Sequence, residues 1–176
     1  MTRKEKHNKT RRRNIQKATR RALHLIRKHQ PGTLLETSQL GLVLVHYGEG
    51  AFRKSYRIAG TSLLMKFPQT EGDGSDKYGY TSDRCHTRSE VRKIRVLSRF
   101  KSLRRHVPPV YYFNSRHGVI VTKFYPKQSE WKIYGEMNVV LSKVIKELTG
   151  VVLEDICGDN LKMDLVKGLV FVDLGY

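Results

Sequence analysis

The spacing of apolar residues near the N-terminus predicts an amphipathic helix. Between Thr10 and His29 the apolar residues recur three or four positions apart, and Arg and Lys occupy most of the other positions. This spacing gives a helix with a narrow apolar stripe. Pro31-Gly32 predicts where the helix ends. The stripe consists of Ile15, Ala18, Ala22, Leu25 and Ile26.

Short apolar runs farther along the chain predict strands, because each run is brief and is followed by a turn signal. The first three runs follow one another closely, which is typical of antiparallel strands joined by short turns. The last two are linked by a turn at 114–117. We predict strands at residues 42–45, 55–58, 62–67, 110–113 and 118–124.

Two further helices and a closing hairpin complete the pattern. Helical spacing predicts one helix at 87–105, before Pro108-Pro109, and another at 134–148, before Gly150. The polar, Gly-rich segment 69–83 predicts a loop, and the final strand is predicted at 169–172. Because strands and helices are segregated along the chain, we predict the α+β fold class.

The helix predicted at 87–105 has two chemically different faces. We expect the apolar face to be buried and the basic face to be exposed. The apolar face consists of Val91, Ile94, Leu97 and Phe100. The basic face consists of Arg88, Arg92, Arg95 and Arg99.

The net charge of +18 predicts an anionic partner, which is nucleic acid, nucleotide phosphate, an acidic protein or a membrane surface. Residues 1–30 hold twelve Lys or Arg and the single acid Glu5, and so contribute +11 of this charge. Two hypotheses stay open for this segment: a solvated helix packed on the domain, or an arm that contacts nucleic-acid phosphates. Base stacking is not indicated, because residues 1–30 contain no Phe, Tyr or Trp.

The sequence argues against several other classes of protein. Cys85 and Cys157 lie far apart and form no CxxC pair, which argues against a disulfide scaffold or a structural zinc site. No apolar run is long enough for a transmembrane segment, and the N-terminus lacks the apolar core of a secretory signal. The Arg-rich start is similar to an organelle transit peptide but lacks Ser. We therefore expect a cytoplasmic protein.

Gly48 and Gly50 flank Glu49 in the turn between the first two predicted strands. Glycines at such a turn let the backbone approach a ligand closely, and free amides there can bind phosphate. An ordinary hairpin turn is the alternative. Arg53 stands where the nucleotide-binding glycine pattern has its third glycine.

Lys66 and Glu90 are charged residues in otherwise apolar surroundings. Lys66 lies inside the run 62–67, and Glu90 lies beside the apolar face of the helix predicted at 87–105. A lone carboxylate there is destabilising unless it is paired, which makes Lys66 a candidate partner. The alternatives are that Lys66 extends its ammonium into solvent and that Glu90 pairs with Lys93 on its own helix.

Three oxygen-bearing side chains lie close together near the end of the sequence. Asp155 and Asn160 belong to a predicted loop, and Asp173 follows the last predicted strand. An Asn and an Asp that meet across a hairpin can hold Mg²⁺ and leave positions for substrate phosphates. A separate Asp can orient or deprotonate a hydroxyl nucleophile.

Taken together, these parts resemble the protein-kinase fold over roughly residues 42–176. The resemblance depends on their order, which is far more specific than any one of them. In sequence they are Gly48-x-Gly50, Lys66 in a strand, Glu90 in a helix, Asp155 followed five residues later by Asn160, and Asp173-Leu174-Gly175.

The resemblance implies a role for each residue. Gly48 and Gly50 would cover the nucleotide phosphates, and Lys66 would contact those phosphates while held by Glu90. Asp155 would be the catalytic base. The remaining implied roles are Mg²⁺ ligands at Asn160 and Asp173, and an adenine-side hinge that includes Thr122, Lys123 and Phe124.

The chain also departs from the kinase pattern. Leu153 and Glu154 replace the His and Arg that usually precede the catalytic Asp, Cys157 replaces a Lys, and Leu174 replaces the Phe of Asp-Phe-Gly. No Ala-Pro-Glu signature follows. The resemblance therefore implies a protein-kinase-like N-lobe with a minimal, truncated C-lobe, as in a minimal bacterial or phage-type kinase-like protein, with the compressed helical part at 134–148.

Three functional hypotheses follow. The resemblance implies an ATP- and Mg²⁺-dependent phosphotransferase whose acceptor is a protein Ser or Thr or a small-molecule hydroxyl. The alternative is a pseudokinase-type binding module that holds nucleic acid or an acidic partner through residues 1–30. A third hypothesis places this segment on a membrane surface, although it has few bulky apolar residues. In domain terms, we predict a basic helical arm at 1–32 and a kinase-like domain at 33–176.

Overall fold

The computed structural model describes residues 3–49, 53–69, 83–126, 136–153, 160–164 and 168–174. The chain forms two compact units. The first contains Met1–Glu71 and Tyr111–Phe124, and the second contains Gly72–Val110 and Tyr125–Tyr176. No helix in the described ranges combines the length and the apolar character that crossing a bilayer requires.

Five strands form one sheet, which confirms the predicted α+β class. The strands lie in the order β1-β2-β3-β5-β4, and the pairs β1–β2, β2–β3 and β3–β5 are antiparallel. In the chain, a helix separates the third strand from the fourth, as the sequence predicted. The strands are β1 (Leu44–Glu49), β2 (Arg53–Ile58), β3 (Leu63–Pro68), β4 (Val110–Asn114) and β5 (Val119–Lys123).

Three helices correspond to the predicted ones, although the first begins at Arg3 rather than near Thr10, and two short helices are additional. The helices are α1 (Arg3–His29), α2 (Leu34–Gln39), α3 (Asp83–Leu97), α4 (Glu136–Thr149) and a 3-10 helix at Arg104–His106. Strands β6 (Leu161–Asp164) and β7 (Gly168–Phe171) form an antiparallel hairpin in the second unit. The 3-10 helix is tied to this hairpin, because His106 Nδ1 lies 2.8 Å from the carbonyl oxygen of Leu169.

Helix α1 covers one face of the sheet with its C-terminal half. Ala22 and Ile26 are buried, and they pack in one apolar cluster with residues of β2, β3 and β5. Near the start of this contact, Thr19 Oγ1 accepts a hydrogen bond of 3.1 Å from the backbone N–H of Ser62. Of the apolar stripe predicted from the sequence, Ala22 and Ile26 are thus part of the core, and Ile15, Ala18 and Leu25 are half-buried. The sheet residues in the cluster are Ile58, Leu63, Met65, Phe67, Val119 and Val121.

Helix α2 was not predicted, although its start carries a recognisable signal. Thr33 and Glu36 form a capping box, in which the Thr33 side chain accepts a hydrogen bond of 3.2 Å from the Glu36 N–H. The Glu36 carboxylate in turn accepts from the backbone N–H groups of Gly32 and Thr33 at 2.6 and 3.3 Å. Three backbone donors at the helix start are therefore satisfied by one Thr-x-x-Glu pair.

Helix α3 is shorter than predicted, and the prediction that Phe100 is buried is wrong. The helix ends at Leu97, and Phe100 is 36% exposed rather than buried. The hydrogen bonds of Arg99 and Phe100 run three residues back, to Val96 and Leu97, so the chain tightens and leaves the α-helical path. The other face predictions are confirmed: Val91, Ile94 and Leu97 are buried, and Arg88, Arg92, Arg95 and Arg99 are exposed.

Two tyrosines on β4 give the fold a predictable response to alkaline pH. Burial raises the pKa of Tyr111. Burial and the nearby Glu36 carboxylate raise the pKa of Tyr112, against the opposing effect of a hydrogen bond from Asn114. The folded chain thus holds both phenolic protons more tightly than the unfolded chain does. This stabilisation is complete below the ordinary tyrosine pKa of about 10 and is lost as the pH rises through the raised values.

We therefore expect the free energy of unfolding to fall with rising pH above about 10. The fall should be shallower in Tyr111→Phe, which has no proton to lose. Urea unfolding followed by circular dichroism at pH values from about 8 to about 11 checks this. Identical pH dependence in the two proteins would contradict it.

Candidate active site

The register of the strands assigns side chains to the two faces of the sheet. Residues directly opposite each other in an antiparallel pair share a face, and successive residues alternate between faces. Leu63, Met65 and Phe67 of β3 belong to the cluster beneath α1. Leu64 and Lys66 therefore belong to the opposite face, which we call the open face because α1 does not cover it, although both residues are buried.

Gly48, Ser55, Lys66 and Ile120 form a row across this open face. Gly48 is opposite Ser55, Ser55 is opposite Lys66, and Lys66 is opposite Ile120. A side chain at Gly48 would meet no atom within 4 Å, so there is space beside this glycine. The glycine and the lysine that the sequence singled out are thus brought to the same face, but Gly48 belongs to strand β1 and not to the turn in which the sequence placed it. Gly50 lies outside the described residues.

The ammonium of Lys66 does not extend into solvent. The residue is only 4% exposed, so the alternative of a solvated lysine head is wrong. A buried ammonium is stable only where hydrogen-bond acceptors or negative charges compensate for the lost water. Lys66 thus has the low-dielectric setting in which a lysine interacts strongly with an anion.

Phe124, directly after β5, packs against one aromatic and one cationic side chain. Its ring meets that of Tyr47 edge-on, with centroids 4.9 Å apart, and Arg57 Cζ lies 5.0 Å from its centroid. Thr122 is opposite Leu64 and so shares the open face, whereas Lys123 is opposite Leu63 and shares the face of α1. The first compact unit ends at Phe124, within the segment that the kinase resemblance assigns to the hinge.

Tyr47 and Arg57 were not identified from the sequence. Tyr47 follows an apolar run and Arg57 lies among alternating polar residues, so neither stands out by pattern. The register of β1 shifts between His46 and Gly48, which is a β-bulge or a comparable irregularity. A bulge re-aims nearby side chains, and its position cannot be read from apolar spacing.

Glu90 is the charged residue with the least exposure in the described part of the second unit. It is 0% exposed, and its neighbours Thr87, Val91 and Ile94 on α3 are also buried. This confirms that Glu90 lies with the apolar face of the helix rather than the basic one. Removing the partner of a carboxylate in such surroundings strongly destabilises the folded protein.

Asn160 and Asp173 lie at the same end of the β6–β7 hairpin. Asn160 directly precedes β6, and its carbonyl accepts a hydrogen bond of 2.9 Å from the N–H of Val172. Asp173 is the next residue after Val172. The hairpin is held by buried apolar residues on both strands, among them Leu161 and Val170. Asp155, the expected catalytic base, lies outside the described residues.

The donors at this end of the hairpin suit a hard cation. An amide oxygen and a carboxylate oxygen are ligands that Mg²⁺ prefers, and Mg²⁺ commonly takes one or two carboxylates and completes its shell with water and phosphate. In the described part of the chain, no group of three or more His, Cys, Asp or Glu residues is placed to hold a metal ion.

Comparisons with known proteins give likenesses of fold. No protein-family model matches the chain, and no curated protein sequence matches it. PpkA-294 in its apo form is similar with a TM-score of 0.44 and 16% identity over 74% of this chain. APH(2″)-IIa, in a ternary complex with streptomycin and ATP, is similar with a TM-score of 0.36 and 20% identity over 62% of this chain. The matches cover 57% and 32% of those two chains.

Proposed function

We propose that this protein is an ATP- and Mg²⁺-dependent phosphotransferase. The observation that carries the proposal is the buried Lys66, aligned with Gly48 on the open face of the sheet. A lysine ammonium on the same sheet face as Gly48 can neutralise phosphate charge while the backbone at this glycine approaches the phosphates closely. The further support is chemical: the chain also provides a buried carboxylate and a pair of oxygen ligands.

In this proposal, Lys66 contacts the phosphates of ATP, and Glu90 is the carboxylate that holds Lys66 in place. Both residues are almost fully buried, at 4% and 0% exposure. Water screens a buried group poorly, so a buried charge interacts more strongly with whatever partner it has than a surface charge does. Gly48 and Gly50 cover the phosphates through backbone amides. Thr122, Lys123 and Phe124 lie beside the base, with the Lys123 contribution coming from its backbone.

Asn160 and Asp173 are the proposed ligands of Mg²⁺. The cation, when bound, neutralises negative charge that builds up on the transferred phosphoryl group. The contribution of the chain is to hold an amide and a carboxylate at one end of a hydrogen-bonded hairpin. Asp155 is the proposed base that accepts the proton of the attacking hydroxyl.

The acceptor in this proposal is a hydroxyl group, either on Ser or Thr of a protein or on a small molecule. Assays with a mixture of peptides and with small polyols and amino sugars distinguish the two classes. Binding of Mg-ATP without transfer to any acceptor, and without hydrolysis, would instead support the pseudokinase alternative.

Nucleotide binding tests the proposal directly. We expect ATP with Mg²⁺ to raise the melting temperature of the protein, because a ligand that binds only the folded state stabilises it. The shift should be much smaller without Mg²⁺ and in Asp173→Ala. The control is Asp164→Ala, at the other end of the same hairpin, where Asp164 is opposite Gly168. Equal shifts for both variants would contradict the assignment of Asp173.

A further inference from the structure

Helix α1 consists of two parts with different surroundings. From Thr19 to Ile26 it is anchored to the sheet by buried apolar residues and by the hydrogen bond to Ser62. From residue 5 to residue 14 every side chain is exposed. Residues 3–14 contain no apolar residue at all. The anchored part therefore holds a wholly polar helical segment in a fixed orientation relative to the sheet.

The exposed cations on α1 form continuous rows. Lys9, Arg13, Lys17 and Arg21 are four residues apart and are all exposed, so they are neighbours along the helix surface. Arg11 and Arg12 extend the positive surface around the helix. Like charges at this spacing repel one another and weaken an isolated helix. A polyanion bound along the rows would replace this repulsion with attraction.

We propose that residues 3–21 of α1 dock on the phosphate backbone of double-stranded DNA. Lys and Arg that neutralise phosphates release condensed counterions, which drives binding without any base recognition. The segment has one acid, Glu5, so its positive charge is nearly uncompensated in the sequence. This proposal concerns a surface separate from the residues assigned to phosphate transfer, and it goes beyond that function.

The composition of the segment favours DNA over the other polyanions. A membrane-surface helix needs an apolar face, which residues 3–14 lack. The buried centre of a protein interface is usually apolar or aromatic, and the same residues supply no such side chain. Single strands are held largely by aromatic stacking, whereas residues 1–30 contain no Phe, Tyr or Trp.

The dimensions of the helix also favour DNA over duplex RNA. An α-helix with its side chains is about 10–12 Å across, and the major groove of B-DNA is about 12 Å wide. The major groove of A-form RNA is deep and narrow and excludes such an element. Nineteen residues span about 28 Å at 1.5 Å each, which corresponds to roughly eight base pairs.

Fluorescence anisotropy with a labelled DNA duplex of about 16 base pairs tests the proposal in the full chain. We expect binding that weakens steeply as salt rises from about 50 to about 200 mM, with log K linear in log salt. The triple variant Arg11→Gln, Arg12→Gln, Arg13→Gln should lower the magnitude of this slope by roughly 2 to 3, at about 0.9 per phosphate contact.

The matched control removes the same charge from another exposed helix surface. Arg92→Gln, Arg95→Gln, Arg99→Gln should leave the salt slope close to that of the unchanged protein, because these residues lie on or just after α3. Equal losses in both triple variants would show a net-charge effect and overturn the proposal. Binding of duplex RNA, single-stranded DNA or anionic vesicles at least as tight as that of duplex DNA would also overturn it.

Two measurements keep this test separate from the proposed phosphotransferase activity. The melting temperature of the Arg11–Arg13 triple variant should not change by more than a degree or so, since all three residues are exposed. Its stabilisation by Mg-ATP should also be unchanged. Loss of DNA binding with an intact Mg-ATP response supports the proposal. Loss of both would show that the substitutions disturb the fold, and would overturn the proposal.

Discussion

Substitution of Lys66 with Met is expected to lower the rate of phosphate transfer from ATP by at least about 10²-fold. Groups aimed at developing charge in a dry site contribute most of their effect in the transition state, and the near-complete burial of Lys66 provides such a site. Single-turnover assays with radiolabelled ATP measure the rate. The loss should fall mainly on kcat rather than on KM if Lys66 acts in the transition state.

The fold should survive this substitution, which makes the kinetic result interpretable. Met has a volume similar to that of Lys, and replacing a buried charge with an apolar residue is often neutral for stability. Lys54→Met is the matched control. Lys54 lies on β2 opposite Phe67, on the face covered by α1, and forms an exposed ion pair with Glu49 at 3.6 Å. Equal rates in the two variants would contradict the role given to Lys66.

A double-mutant cycle extends this prediction to Glu90. If Glu90 acts only by holding Lys66, Glu90→Gln should slow the transfer when Lys66 is present. It should add little to the loss of rate that Lys66→Met already causes. Losses that simply multiply would show that the two residues act independently. Because Glu90 is fully buried, the melting temperature of each variant must be measured beside its rate.

Substitution of Ile26 with Ala is expected to lower the free energy of unfolding by about 2–5 kcal/mol. Ile26 is 0% exposed and packs with the sheet residues of the apolar cluster, so the shorter side chain leaves a cavity in the core. Urea unfolding measures the change. Ile15→Ala is the control on the same helix, since Ile15 is only half-buried and should lose clearly less.

Truncation also tests how much the two parts of α1 contribute to stability. Removal of residues 1–14 should leave the stability almost unchanged, because the described side chains of this segment are exposed. Removal of residues 1–32 should expose Leu63, Met65 and Val121 and destabilise the sheet. A stable, cooperatively folded product of the longer truncation would support the prediction that 1–32 is a separate arm.

Much of the fold was accessible from the sequence, because apolar spacing decides which side of an element is buried. The position of Glu90 at the buried face of α3 followed from its spacing to Ile94 and Leu97. All five strands were likewise predicted in part, although β1 runs to Glu49 rather than ending at Val45. Helix α2 was recoverable in principle, because Thr33 and Glu36 carry the capping-box spacing.

Other features depended on information that local patterns do not contain. The end of α3 at Leu97 has no Gly or Pro to mark it before Pro108, and it is set by a change in backbone hydrogen bonding. The contact of Tyr47 with Phe124 depends on the irregularity of β1 between His46 and Gly48, and the contact of Arg57 with Phe124 joins residues far apart in the sequence. The packing of Ile26 against β3 and β5 is long-range, so spacing predicted a stripe but not its partner.

The single lysine in β3 has a consequence for folding fidelity. Strand β3 is apolar on both sides of Lys66, so hydrophobic attraction alone would distinguish poorly between the native alignment and one displaced by a residue. A displacement of one residue would turn the ammonium toward Ala22, Ile26 and the other hydrocarbon groups of the cluster, at a cost of several kcal/mol. Lys66 thus destabilises the misaligned state, and a chain with Met at this position should populate misfolded products more readily during refolding.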